Sequence, residues 1–188
     1  MRPRIAILIS GRGSNMGALL AARASIPADF ALVLSDQATA TGLATAREEG
    51  LSVSVVEREK GQSKAAHEAA MIEALKEAGV THIALAGFMR LLSDEFLAQF
   101  EAVVNIHPSL LPAFKGLETH TRALSARAKV HGCTVHQVDA DMDTGPIIAQ
   151  AGLSVRAGES AEDLGARVLR LEHALYPVAL TNFLTGQA

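Results

Sequence analysis

Cysteine, aromatic residues and long apolar runs are scarce in this chain of 188 residues. Cys133 is the only cysteine, which excludes an intrachain disulfide and is typical of a reducing, cytoplasmic compartment. The first apolar run, residues 5–9, is far shorter than the roughly 20 residues that a membrane-spanning helix needs. The serine and glycine that follow it do not resemble a signal-peptide cleavage region. We therefore predict a cytoplasmic protein with no membrane partner.

Charge and base-stacking residues also argue against a nucleic-acid partner. The net charge is -3, lysine and arginine are scattered, and the chain has no tryptophan and one tyrosine. Nucleic-acid surfaces depend on clustered cations and often on exposed aromatic rings. Small molecules are therefore the predicted partners, and the chain is expected to be a monomer or a homodimer.

Short apolar runs alternate with helix-compatible segments along the chain. The predicted strands are residues 5–9, 30–34, 53–56, 82–86, 102–107, 133–138 and 147–155. The predicted helices are residues 16–24, 41–49 and 64–78, with others beginning after Ser93 and after the N-cap Ser160. This alternation predicts an α/β fold, in which residues 1–188 form one domain with a Rossmann-like, mostly parallel open sheet and helices on both faces.

Several side chains receive a purely structural interpretation. An apolar stripe at helical spacing predicts which face of the last helix packs on the sheet: Leu164, Val168, Leu171, Leu175 and Val178. His67 and His82 have no identifiable partner, so they are predicted to be surface and strand-end residues. Cys133 lies in a strand pattern and is predicted to be a small core residue.

A glycine-rich loop follows the first strand. Residues 10–15 read Ser-Gly-Arg-Gly-Ser-Asn and precede a helix, a combination that favours an anion site built from uncovered N–H groups. With Asp36 closing the second strand, the loop also fits part of a dinucleotide fingerprint, so an NAD-dependent oxidoreductase of Rossmann type is the rival hypothesis. Its third glycine, Gly17, comes one position late, and Met16 occupies the close-packing position.

We predict the chemistry at the end of the strand that precedes Pro108. Asn105 and His107 lie two residues apart, so both side chains leave the strand on the same side, and the proline stops strand pairing just beyond them. One of the three alternate carboxylates that follow the next strand, Asp139, Asp141 and Asp143, is the predicted third group, because a carboxylate beside an imidazole favours its charged form.

A metal site is not predicted from these residues. The three alternate acids of residues 139–143 supply fewer oxygen ligands than a hard cation usually takes. His120 and His136 are expected nearest to the proposed site, but with His107 they form no recognised zinc spacing.

Two of these segments carry a family resemblance. Residues 105–112, Asn-Ile-His-Pro-Ser-Leu-Leu-Pro, together with residues 143–146, Asp-Thr-Gly-Pro, resemble the active-site signature of the formyltetrahydrofolate-dependent formyltransferases. Residues 9–15 and 86–93 resemble the phosphate loop and the folate-site segment of the purine-pathway branch of that family. The resemblance covers nearly the whole chain in order.

The resemblance implies a reaction and a set of site residues. The formyl group of 10-formyltetrahydrofolate, as co-substrate, is expected to pass directly to the amine of glycinamide ribonucleotide through a tetrahedral intermediate. The implied catalytic residues are Asn105, His107 and Asp143. The implied ribonucleotide-binding residues are Gly13, Ser14, Asn15 and Glu172, so the N-terminal part of the domain binds the ribonucleotide phosphate. The implied folate-binding residues are Lys64, Phe88, Met89, Arg90, Leu92, Asp139 and Asp143, so the C-terminal part is catalytic and folate-binding.

The sequence departs from the family pattern at two positions. Glu118 stands where a histidine is expected, and Lys64 replaces an arginine near the folate tail, which exchanges a forked donor for a point charge. Within the family, a formyltetrahydrofolate deformylase is the second alternative, although it is expected to carry an additional N-terminal regulatory domain. A tRNA-acting relative is expected to carry an additional C-terminal domain, and a non-catalytic folate or nucleotide binder leaves the three catalytic residues unexplained.

Overall fold

The computed structural model describes residues 2–187, and within them the chain forms seven strands and six helices. The strands are β1 (Arg4–Ile9), β2 (Asp29–Ser35), β3 (Val53–Val55), β4 (His82–Leu85), β5 (Ala102–His107), β6 (Val130–Gln137) and β7 (Ile147–Ser154). The helices are α1 (Ser14–Ala21), α2 (Gly42–Glu48), α3 (Lys64–Glu77), α4 (Asp94–Leu97), α5 (Thr119–Ser125) and α6 (Ala161–Leu184). The predicted elements are present, with ends that differ by a few residues.

All seven strands belong to one open sheet in the order β3-β2-β1-β4-β5-β6-β7. The first five are parallel, whereas β6 runs antiparallel to β5 and β7 antiparallel to β6. The predicted mostly parallel α/β sheet is therefore confirmed. The carboxyl ends of β1, β4 and β5 lie side by side at one edge of the sheet, where ligands bind in open α/β folds.

Strand β1 shows why helices cover both faces of the sheet. Its residues from Ile5 to Ile9 are fully buried and alternate between two cores, as the period of two in a strand requires. Ile5, Ile7 and Ile9 pack with residues of α1, α2 and α6, whereas Ala6 and Leu8 pack with residues of α3 and α4. A strand buried on both faces reads as a continuous apolar run, which is the pattern in the sequence.

Helix α6 packs on the sheet in a slightly different rotation from the prediction. Its most buried line runs at i, i+4 spacing through Leu164, Val168, Glu172, Tyr176 and Leu180. The placement of Val178 on the packed face was wrong, because its side chain is 57% exposed. The prediction included Leu164 and Val168 of this line. It missed the Glu172 carboxylate and the Tyr176 phenol, because it considered only an apolar stripe.

The predicted ends of several elements are confirmed by their capping contacts. The Ser93 hydroxyl accepts the N–H of Phe96, and the Ser160 hydroxyl accepts the N–H of Asp163, so both serines are N-caps. Gly79 follows α3 with φ 66°, a left-handed conformation that suits glycine at a helix end. Strand β5 ends at His107, where the following proline was expected to stop it.

Of the two structural predictions about histidines, the one for His67 was wrong and the one for His82 is confirmed. His67 is buried rather than on the surface, and its Nε2 lies 2.8 Å from the carbonyl oxygen of Val56. His82 does begin a strand, but it has a partner, since its Nδ1 lies 2.8 Å from the Thr81 hydroxyl. Cys133 is in the core as predicted, and burial raises the pKa of its thiol to about 12. No helix within residues 2–187 combines the length and apolar character that crossing a bilayer requires.

Candidate active site

A cleft of about 820 Å³ opens at the carboxyl edge of the sheet. Its walls come mainly from residues 87–92 after β4, residues 105–108 at the end of β5, residues 116–121 around the start of α5, and residues 138–143 after β6. The last segment connects β6 to β7, and its Asp143 lies 3.4 Å from His107 at the end of β5. Residues from four separate stretches of sequence therefore surround one cavity large enough for a small organic ligand.

His107 is the buried centre of this cleft, with 6% of its surface exposed. Its Nε2 lies 3.1 Å from the carbonyl oxygen of Phe114, and its Nδ1 lies 3.4 Å from Oδ2 of Asp143. Both ring nitrogens thus face oxygen atoms that only accept hydrogen bonds. The ring therefore lies between a main-chain carbonyl and a carboxylate, each of which can accept a hydrogen bond.

A tight loop holds Asp143 in place. The residue has φ 54°, and its Oδ2 accepts the N–H of Gly116 at 2.8 Å. Two residues later, a Cβ on Gly145 would lie 1.9 Å from the carbonyl oxygen of Gln137, so only glycine fits this backbone approach. The loop therefore directs the carboxylate inward, toward His107.

Asn105 lies beside a histidine to which the sequence analysis gave no role. Its Nδ2 lies 3.3 Å from Nε2 of His136, the residue opposite it on β6. Nδ1 of His136 lies 2.8 Å from the carbonyl oxygen of Gln137, and its Nε2 also lies 3.7 Å from Oδ1 of Asp143. Burial lowers the pKa of His136, although the Gln137 carbonyl and the Asp143 charge oppose that shift.

A pair of contacting histidines joins the cleft wall to strand β6. Nδ1 of His120 lies 3.1 Å from Nε2 of His131, and their rings meet edge to face. Burial, reinforced by His120 and His107, lowers the pKa of His131 to about 4, and burial also lowers the pKa of His120. His120 lines the cleft as expected. Sequence reasoning missed His131, because a lone histidine within a strand carries no local signal.

The proposed ribonucleotide residues lie at one side of the cleft. Asn15 Nδ2 donates to Oε2 of Glu172 at 2.6 Å, and both side chains are buried and line the cavity. Burial raises the pKa of Glu172, and the bond from Asn15 partly offsets the rise. Gly13 and Ser14 are outside the cleft lining, at the amino end of α1, where Gly13 has φ 66° and precedes the free N–H groups of the first turn.

The proposed folate residues divide between two cavities. Residues 88–92 line the cleft, with Phe88 and Leu92 buried in the core below it and Met89 69% exposed. Lys64 lies in an adjoining pocket of about 340 Å³, 3.7 Å from Glu68. Asp139 is an exposed residue of the cleft wall, and its Oδ1 accepts the Thr144 hydroxyl at 2.7 Å.

Asp36 bears on the dinucleotide-binding alternative. Its buried carboxylate accepts the Ser10 hydroxyl at 2.6 Å and pairs with Nε of Arg90 at 2.5 Å. The Ser10 hydroxyl in turn accepts the N–H of Met89 at 2.9 Å. The acid that would bind a ribose in a dinucleotide site is therefore engaged in joining the loops after β1 and β4, which argues against the oxidoreductase.

Comparison with known proteins agrees with this geometry. A family model described as formyl transferase matches residues 3–180. The chain belongs to the formyl transferase family. Phosphoribosylglycinamide formyltransferase of Escherichia coli (strain K12) is 39% identical over 186 residues, which covers 97% of this chain and 88% of that protein. The crystal structure of phosphoribosylglycinamide formyltransferase from Brucella melitensis is 50% identical, with a TM-score of 0.92 and coverage of 100% of this chain and 98% of that one.

The formyl transferase chain also matches part of much longer proteins. It is 40% identical over 188 residues to the trifunctional purine biosynthetic protein adenosine-3 of Bos taurus, of which the match covers 19%. The chain thus spans about a fifth of the length of such relatives. The resemblance seen in the sequence motifs is confirmed at the level of the family and its purine-pathway relatives.

The side chains of the site also determine whether it contains a metal-binding group, and they include Glu118. Within the part of the chain that the structure describes, no group of three or more His, Cys, Asp or Glu residues is arranged to hold a metal ion. Glu118 lines the cleft with φ 55° as the residue before α5, and its Oε2 accepts the Thr121 hydroxyl at 3.3 Å.

Proposed function

We propose that this formyl transferase moves the formyl group of 10-formyltetrahydrofolate to the amine of glycinamide ribonucleotide, giving the formylated ribonucleotide and tetrahydrofolate. The observation that carries the proposal is the placement of His107 between Asp143 and the Phe114 carbonyl, with Asn105 two residues before it on the same strand. The names of the relatives that match over most of their own length support the same reaction. We propose a cytoplasmic location, as expected from the sequence.

The strand-end groups supply charge stabilisation. When the amine attacks the formyl carbon, negative charge develops on the formyl oxygen, and the Asn105 amide N–H and the His107 imidazolium are the groups available to stabilise it. Asp143 holds the charge on His107 through the 3.4 Å contact. Through a water molecule it also takes the proton that the attacking amine sheds, and this proton passes to N10 of tetrahydrofolate as the bond between N10 and the formyl carbon breaks.

No covalent enzyme intermediate is required for this transfer. Ser109 is buried and its hydroxyl donates to the Ala113 carbonyl at 2.6 Å, which leaves it without a base. Cys133 lies in the core with its pKa raised to about 12, so its thiol is protonated and enclosed. Direct attack by the amine uses the groups that the cleft contains.

The two substrates are proposed to enter from different sides. The amino end of α1, at Gly13, Ser14 and Asn15, provides N–H groups and a positive helix end for the ribonucleotide phosphate. Glu172, beside Asn15 in the cleft wall, is proposed to accept the ribose hydroxyls. Holding the phosphate there fixes the amine against the co-substrate, which lowers the entropic cost of the reaction.

The folate is proposed to lie along the opposite wall, residues 88–92 and Asp139. That wall combines an exposed thioether at Met89 with an apolar base, which suits a flat heterocycle. Lys64, in the adjoining pocket, is proposed to meet the negatively charged tail of the folate.

Release of reduced folate tests the proposal. The purified protein is mixed with 10-formyltetrahydrofolate, with and without glycinamide ribonucleotide, and folate release and formylated product are followed together. We expect release that requires the ribonucleotide. Release without it would instead establish the deformylase, and no release in either mixture would contradict both activities.

A further inference from the structure

A hydrogen-bond acceptor beside a catalytic amide determines which way the amide faces. The side-chain amide of asparagine places O and NH₂ at nearly equivalent positions, and turning it over exchanges a donor for an acceptor. Stabilising a developing oxyanion requires the NH₂ end of Asn105. A neighbouring group must therefore hold the amide in that orientation.

His136 is the neighbour in position to do so. Its Nδ1 lies 2.8 Å from the Gln137 carbonyl oxygen, which can only accept, so Nδ1 carries a hydrogen. In a neutral ring, Nε2 is then left with a lone pair, and this atom is the one that lies 3.3 Å from Nδ2 of Asn105. Residue 136 is also almost fully buried, so water does not compete for the lone pair.

We propose that His136, as a neutral imidazole with its hydrogen on Nδ1, is the positioning residue that fixes the Asn105 amide. One N–H of the amide donates to Nε2 of His136, and the second N–H is left for the formyl oxygen. The backbone supports this arrangement, since Asn105 and His136 are directly paired across β5 and β6. The inference rests on the proposed formyl transfer, because it assigns a role within that site.

The charges around His136 decide between its two protonation states. Asp143 and Asp139 attract a proton to the ring, whereas the nearby His107 repels one and burial disfavours the charged form most strongly. A protonated ring would carry a hydrogen on Nε2, which lies 3.7 Å from Oδ1 of Asp143, and would face the Asn105 NH₂ with a second donor. The amide would then turn its oxygen toward His136, and the NH₂ end would no longer be held as proposed.

A double-mutant cycle tests whether His136 acts through Asn105. Replacing His136 with Leu removes the acceptor and fills the buried position with an apolar side chain. We expect kcat to fall about tenfold or more, with both KM values within about twofold of wild type. In an Asn105→Ala background, the same change is expected to lower kcat by less than about twofold. His136→Gln, whose side-chain oxygen can accept the amide N–H, is expected to recover part of the rate.

An equal loss in both backgrounds would overturn the proposal, because the effect of His136 would then be independent of the amide. Thermal unfolding of each variant separates a folding defect from the loss of rate.

A second measurement applies to the wild-type protein and needs no turnover. In ¹⁵N-labelled protein at pH 7, the imidazole of His136 is expected to show one protonated nitrogen, Nδ1, and one unprotonated nitrogen, Nε2. A doubly protonated ring, or a hydrogen on Nε2 alone, would overturn the assignment. If the wild type transfers no formyl group, the proposed function fails, while this spectrum still decides the state of His136.

Discussion

Single side chains at the end of β5 carry the proposed chemistry. His107 meets an oxygen atom at each ring nitrogen, and its proposed role depends on the carboxylate 3.4 Å away. Asn105 depends in the same way on His136. Each proposed catalytic group thus has a partner from a different segment of the chain, and a change in the partner should alter the rate more than it alters binding.

Asp143→Asn tests the charge at this site. The new amide can still accept the N–H of Gly116, so the loop is retained, but it carries no charge to support His107. We expect kcat to fall on the order of a hundredfold or more, with the ribonucleotide KM nearly unchanged, in steady-state assays. Asp94→Asn, an exposed aspartate outside the cleft lining, is the matched control. Turnover near wild type in Asp143→Asn would rule out its role.

Gly13→Leu tests the phosphate assignment. Gly13 has φ 66°, and a Cβ there would lie 3.0 Å from Cε of Met16, so the bulky residue distorts the start of α1. We expect the ribonucleotide KM to rise about tenfold or more while the folate KM changes little. Gly17→Ala is the control, because a Cβ at this position in the same helix meets nothing within 4 Å. An unchanged ribonucleotide KM in Gly13→Leu would remove the assignment.

Among the elements, helix α6 has the widest influence on the site. It carries Glu172 into the cleft and, one turn later, places Tyr176 under the sheet. The Tyr176 hydroxyl lies 2.9 Å from the carbonyl oxygen of Leu85 and 3.0 Å from that of Val104, at β4 and β5. Burial raises the pKa of this phenol, so the hydroxyl remains a donor. The helix thereby joins the two strands whose ends form the site.

Tyr176→Phe tests this link between helix and sheet. The change removes the hydroxyl that faces two buried carbonyl oxygens and keeps the aromatic ring. We expect the free energy of unfolding to fall by about 1–2 kcal/mol. Urea unfolding monitored by circular dichroism measures it, provided that the slope with denaturant is unchanged. Val178→Ala, on the exposed side of the same helix, should change stability by less than about 0.5 kcal/mol. Equal effects of the two changes would contradict the assigned role.

For the whole molecule, buried and half-buried histidines set how stability depends on pH. Burial is the first cause of a lowered pKa in five of them: His82, His120, His131, His136 and His173. A histidine with a lower pKa in the folded state binds its proton first in the unfolded state. Folding stability is therefore lost as pH falls from the ordinary histidine pKa of 6.5 toward the pKa in the folded state, which is about 4 for His131.

We expect the thermal midpoint to fall steadily between about pH 6.5 and about pH 4, as measured by calorimetry. Glu172 acts in the opposite direction, because a raised carboxyl pKa favours the folded state at lower pH. His131→Gln should flatten the slope. A midpoint that rises across this range, or a slope that His131→Gln leaves unchanged, would contradict the assignment.

Local sequence patterns were sufficient for the fold and for the central site residues. The apolar runs, the glycine loop and the serine caps are each encoded within a few neighbouring residues, and the strands, helices and mostly parallel sheet they predicted are confirmed. The placement of Asn105 and His107 at one strand end also followed from local spacing, and the structure brings Asp143 to His107. Their catalytic roles stay predictions.

Only the tertiary structure decided which polar groups meet. Asn15 and Glu172 are 157 positions apart, and Asp36 and Arg90 are 54 apart, so no local pattern could pair them. The burial of His67 and the outward face of Val178 likewise depend on how a helix is rotated against the sheet. Hydrophobic periodicity specifies that a helix has a buried face, but the choice between adjacent residues is made by packing and by hydrogen bonds to distant partners.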